Sequence, residues 1–147
     1  MAEEAQARIQ KEIFDNELLS EAAPAVASSL VHALWCCSPL AEDIILGLLA
    51  DISGGEVDER DPLVYGMVSA EKCLKEVRLG FPAYVEILET GENVHSRSAC
   101  VDLIFMCGIS SGDLRQRAVY FLRSALRCSE FVEQRQVIES SLSELED

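Results

Sequence analysis

Two short stretches of this chain set thiols beside an imidazole. Cys36 and Cys37 follow His32, and Cys100 and Cys107 follow His95. A zinc ion would need such groups aimed at one point, most simply from a Cys-x-x-Cys pair. Adjacent cysteines point in different directions on a helix, and no Cys-x-x-Cys occurs. Cys100 and Cys107 lie two turns apart on one helical face, where core residues also recur. Nucleophilic catalysis would need a Ser or Cys held against a histidine base; with only His32 and His95, and no strand-turn-helix elbow, that chemistry is not expected. Glu56, Asp58, Glu59 and Asp61 could form a carboxylate pair, but loop acids are usually solvated. The same loop lacks the central glycine and terminal glutamate of a calcium-binding EF-hand, and no glycine-rich phosphate cradle is present. The chain therefore reads as non-enzymatic, with no metal, no cofactor and no catalytic residue expected.

The chemistry that remains is charge. Twelve Lys and Arg stand against 26 Asp and Glu, a net charge of −14. Such a surface repels a phosphate backbone, which argues against nucleic acid, and attracts a basic protein. Between residues 42 and 61 there are seven acids, Glu42, Asp43, Asp51, Glu56, Asp58, Glu59 and Asp61, against the single base Arg60, a net of −6. This is the expected footprint for a basic partner; the alternative is a solvated acidic loop that keeps an apolar chain soluble. Trp35, Tyr65, Tyr84 and Tyr120 are the candidate aromatic anchors for such an interface. Asp102 lies in an otherwise apolar helix and needs a partner. An arginine from a neighbouring helix pair or a backbone group would serve structurally; the functional alternative is a cationic group of a bound protein.

The 147 residues fit one domain large enough to bury a core. Hydrophobic residues make up 49% and charged residues 26%, which opposes disorder. The first residues, Met-Ala-Glu-Glu-Ala-Gln, carry neither the basic nor the apolar part of a secretory signal, and no apolar run is long enough to span a membrane. Six cysteines set mostly among apolar residues look like reduced, buried thiols. A cytoplasmic location and no membrane association are expected.

Helical periodicity positions these groups. Residues 94–107 contain a single charge, Asp102, so nearly every face must be covered. After a break over 108–112, residues 113–127 carry Leu114, Ala118, Phe121, Leu122 and Ala125 on one stripe, with Arg115, Arg117, Arg123 and Arg127 mostly off it, free to meet water or a partner. Residues 2–19 predict one capping helix with Ile9, Ile13, Phe14 and Leu18 inward. Pro24 opens a second helix, and Ser38-Pro39 is an N-cap and first-turn signal for a third. That third helix should bury Leu40, Ile44, Ile45, Leu48, Leu49 and Ile52 and stop at Gly54-Gly55. Asp61-Pro62 repeats the start signal. The stripe Leu74, Val77, Phe81, Tyr84, Val85 and Leu88 keeps phase through Gly80-Phe81-Pro82, which predicts one long kinked helix. A last helix spans 130–145, capped by Ser129, with Phe131, Val137, Ile138, Leu142 and Leu145 inward. No window alternates at period two. The fold class is all-α: an α-solenoid of about three antiparallel helix pairs at 22–55, 62–107 and 113–145, with 1–19 as the N-terminal cap, in a single helical-repeat domain.

Over residues 22–128, Leu48-Leu-Ala-Asp-Ile-Ser-Gly-Gly55, Val77-Arg-Leu-Gly-Phe-Pro-Ala-Tyr-Val-Glu-Ile-Leu88 and Arg97-Ser-Ala-Cys-Val-Asp-Leu-Ile104 resemble the bacterial HEAT-like repeat proteins. Arg97 and Arg117 stand where such repeats place a helix-starting arginine. The resemblance implies a scaffold that holds proteins in a curved groove, and small acidic members are often immunity proteins that block a toxin. The expected function is thus non-enzymatic protein binding, in the immunity form by occluding a basic toxin. The alternative is a structural or scaffolding subunit of a larger assembly, and the chain alone is expected to be a monomer or homodimer.

Overall fold

The computed structural model describes residues 1–58 and 68–147. The chain is all-α: apart from one pair of two-residue strands, every regular element among the described residues is helical. In order these are α1 (Ala2–Ile13), β1 (Phe14–Asp15), β2 (Leu18–Leu19), α2 (Ala23–Leu34), α3 (Pro39–Ser53), α4 (Ala70–Leu79), α5 (Phe81–Thr90), α6 (Val94–Ser110), α7 (Gly112–Ala125) and α8 (Arg135–Glu146), with a 3-10 turn at Ser129–Phe131 before α8. They fall into two compact units, Met1–Leu79 and Gly80–Asp147. The expected start at Asp61-Pro62 lies outside the described residues.

In the first unit α2 packs on α3 and α4, and α1 lies against α2 and α3. Pro24 sits in the first turn of α2, and the Ser38 side chain caps α3 by accepting the Ala41 N–H at 3.4 Å. The expected helix over 2–19 is instead a helix and a hairpin. It stops at Ile13; Phe14 then pairs with Leu19 and Asp15 with Leu18, across a two-residue turn in which Asn16 and Glu17 have φ of 49° and 68°. This is the turn geometry that matches strand twist, and it turns both Ile13 and Leu19 fully inward. The Leu19 N–H donates to the Glu56 carbonyl at 2.8 Å, fastening the hairpin to the chain beyond α3.

Leu40 also departs from expectation. The buried face of α3 is Ile45, Leu46, Leu48, Leu49 and Ile52, whereas Leu40 is in phase with Ile44, Gly47 and Asp51 and stands 86% exposed.

In the second unit α6 packs against α5, α7 and α8. It begins at an Asn93 cap, whose side chain accepts the His95 N–H at 2.9 Å. The break expected at 108–112 is only Ser111: Gly108 continues α6, because it is a close-packing position. A Cβ there would lie 2.6 Å from the Ala118 Cβ and 3.0 Å from Leu145. Cover over α6 is less complete than its composition implied, with Ala99, Phe105 and Met106 half-buried and Asp102 exposed. The kinked helix through Gly80 is resolved into α4 and α5, with Gly80 between them in a right-handed helical conformation. The last helix begins later than expected, at Arg135, so Ser129 caps no α-helix and Val137 points outward. Phe131 and Ile138 are buried.

Candidate protein-binding surface

The first unit carries an apolar groove of about 320 Å³. Ala2, Ala5 and Ile9 of α1 form one wall, Leu40, Ile44 and Leu48 of α3 the other, with Leu30 of α2 also lining it and Gln6 and Ser38 its polar members. The groove exists because α1 presents alanines there: Ala2 and Ala5 are too short to fill the space opposite Leu40 and Ile44. Walls so poor in hydrogen-bonding groups offer little to orient a small polar ligand.

One helical step from this wall, α3 carries Asp43, Gly47 and Asp51 at i, i+4 and i+8, a single stripe. Both aspartates are exposed. A Cβ at Gly47 would meet nothing within 4 Å, so the stripe holds a gap between two carboxylates. No base lies in α3 to neutralise it. Glu42 is half-buried; after burial itself, its charge is the next cause pushing the Cys37 thiol above its ordinary pKa. Glu56 is exposed and Asp58 half-buried just beyond the helix.

The remaining candidates are dispersed. Trp35 is 57% exposed at the end of α2 in the first unit, and Tyr120 is 67% exposed on α7 in the second. Tyr84 is completely buried; burial, followed by the nearby Cys107 and Cys100, pushes its phenol well above the ordinary range. Its ring belongs to the core and offers a partner no surface, because 81, 84 and 88 share the inward face of α5. Asp102 is exposed yet crowded enough by protein for desolvation to raise its carboxyl pKa. The arginine expected to pair with it inside the fold is not found among the described residues. Glu59, Asp61 and Tyr65 lie outside those residues.

The structure thus brings Glu42, Asp43 and Asp51 to one helix beside an apolar groove. The sequence alone does not reveal that groove; its one legible sign is the i, i+3 spacing of Ala2 and Ala5 in α1.

The six cysteines, all among the described residues, form no disulfide; Cys73, Cys100 and Cys107 are buried and Cys36 is exposed. Among the described residues no three His, Cys, Asp or Glu side chains converge as metal ligands, and His32 and His95 are both exposed. No described helix is long and apolar enough to cross a membrane. No family model, curated protein or solved structure matches the chain.

Proposed function

We propose that this chain is a non-enzymatic protein-binding scaffold that receives a basic amphipathic helix of another protein in the α1–α3 groove. The observation that carries this reading is the exposed Leu40 in an apolar groove flanked by the Asp43–Asp51 stripe. An incoming helix would place residues at i, i+3/4 and i+7 in the groove and its Lys or Arg flank on the carboxylates. The net charge of −14 speeds the encounter, and groove contacts supply the affinity. On the HEAT-like reading, α2 with α3, α5 with α6 and α7 with α8 are successive antiparallel pairs of a solenoid, and occlusion of a basic toxin is the specific form of binding. The exposure of Leu40 and Trp35 also supports the second reading, a subunit whose apolar edge is covered in a larger assembly.

The test is titration of two labelled synthetic helices that share a leucine face but carry lysine or glutamate flanks. The lysine helix is expected to bind, more weakly as salt rises, and Leu40→Asp or the double variant Asp43→Lys, Asp51→Lys should each weaken it about tenfold or more. Equal binding of both helices, or binding indifferent to Leu40→Asp, would overturn the reading.

A further inference from the structure

The most basic element of this acidic chain is α7. From residue 112 to 127 it holds Arg115, Arg117, Arg123 and Arg127 against the single acid Asp113, four of the chain's 12 basic residues within one helix and its C-terminal turn. Arg117, Tyr120 and Arg123 stand on one exposed stripe. The stripe is built rather than merely solvated. The Arg117 guanidinium lies 5.0 Å from the Phe81 ring centroid. Phe81 meets Phe121 edge-on at 6.3 Å, and Phe121 meets Tyr120 edge-on at 5.1 Å. This chain of contacts fixes Tyr120 as an outward aromatic knob between two cations. The face also takes carboxylates already, since the chain's own Glu146 is paired with Arg123.

We infer that α7 is a self-association surface whose occupant is α3 of a second copy of this chain. Arg117, Tyr120 and Arg123 match Asp43, Gly47 and Asp51 in order and in kind: two guanidinium groups for two carboxylates, and a phenol ring for the gap at Gly47, where nothing lies within 4 Å of a would-be Cβ. The spans differ by about 3 Å of helix rise, about 9 Å from Arg117 to Arg123 against about 12 Å from Asp43 to Asp51, a difference that long arginine side chains can bridge. Arg and Tyr are the side chains that most often carry interface energy. Two copies repel through their net charge, but at physiological salt the screening length of about 8 Å confines that repulsion while facing pairs remain in contact. The contact is heterologous, so each copy offers both halves. Either this contact or the helix-in-groove reading can hold without the other, but both use the Asp43–Asp51 stripe, so α7 of a second copy and a basic helix would compete for it.

Sedimentation of the full chain over a range of concentrations tests it, at about 0.1 M and about 1 M salt, where screening shortens from about 10 Å to about 3 Å. The expected result is a mass that rises above the monomer with concentration at low salt and returns to it at high salt. Tyr120→Ala and Arg123→Glu should each weaken association about tenfold or more. Gly47→Leu should do the same without lowering the thermal midpoint, which separates a filled gap from a failed fold. Arg123→Glu mixed with Asp51→Arg should associate where neither variant does alone. A monomer at every concentration would overturn the inference. So would association that survives 1 M salt, ignores Tyr120→Ala and Gly47→Leu, or gives way to Leu40→Asp instead. Salt-sensitive retention of a random single-stranded oligonucleotide, lost on Arg123→Glu while the chain stays monomeric, would assign α7 to nucleic acid and overturn it equally.

Discussion

The guanidinium carbon of Arg97 lies 5.1 Å from the centroid of the Phe131 ring. The same side chain donates from Nε to the Leu88 carbonyl at 2.9 Å and pairs through Nη1 with Glu130. One buried cation thus joins the end of α5, the first turns of α6 and the 3-10 turn ahead of α8. Burying a guanidinium is costly unless it is paired and hydrogen-bonded; here Nε and Nη1 both have partners and the planar group lies over a ring.

Arg97→Ala removes the donor to a buried carbonyl and the cation over Phe131 together. It is expected to cost about 3 kcal/mol, read as a lower urea midpoint at unchanged slope. Arg97→Lys keeps the charge but not the fork and should lose more than half as much. Glu130→Ala should cost under about 1 kcal/mol, because that carboxylate is more than half exposed. A Glu130→Ala loss as large as that of Arg97→Ala would show that the ion pair, and not the carbonyl and the ring, holds the junction.

Two glycines inside helices should respond to alanine with opposite signs. At Gly47 the added methyl meets nothing within 4 Å, so Gly47→Ala is expected to stabilise by about 1 kcal/mol through helix propensity alone. At Gly108 the methyl would fall 2.6 Å from the Ala118 Cβ, which is anchored to backbone and cannot swing aside. Gly108→Ala should destabilise by about 2 kcal/mol as α6 and α7 are forced apart. Thermal midpoints of the two variants, measured side by side, decide the matter.

Glu17 holds a φ of 68° without the local side-chain hydrogen bonds that let asparagine and aspartate favour that region. Glu17→Gly keeps the two-residue turn and relieves the left-handed conformation. A gain of about 0.5–1 kcal/mol in chemical denaturation is expected. A loss would mean that the Glu17 side chain contributes more than its backbone costs.

Local signals that act within one helical turn were legible in the sequence: Ser38-Pro39, Pro24 and Gly54 set the ends of α2 and α3 where expected. Signals that depend on a neighbour were not. Gly108 is the same residue whether it stops a helix or lets another approach, and only Ala118 and Leu145 on the far side decide between them. Tyr84 and Tyr120 are alike in type; phase on α5 sends one to the core, and phase on α7 sends the other to solvent. Strands of two residues are too short for alternation to show, so the hairpin at 14–19 was hidden within an apparent helix. The acids of α3 were visible as a charge run, whereas the groove beside them arises from α1 packing against α3 with Ala2 and Ala5 lining the space between, and no periodicity in either helix alone encodes that.

Asp102 gives a pH test of its own. In the fold, crowding by protein raises its carboxyl above the ordinary aspartate value, with desolvation as the cause. The native state therefore holds this proton more tightly than the unfolded chain does, and the contribution of Asp102 to stability falls as pH rises through the ordinary and the raised value. At neutral pH the ionised group works against the fold. Asp102→Asn, which keeps the shape without the charge, is expected to be more stable than the parent at pH 7. That difference should shrink as pH falls below the aspartate range, where the parent is protonated in both states. Tm measured for both proteins across that range checks the sign. A difference that stays constant with pH would assign the effect to shape instead of charge, and a less stable Asp102→Asn at neutrality would mean that the carboxylate has a cationic partner in solution.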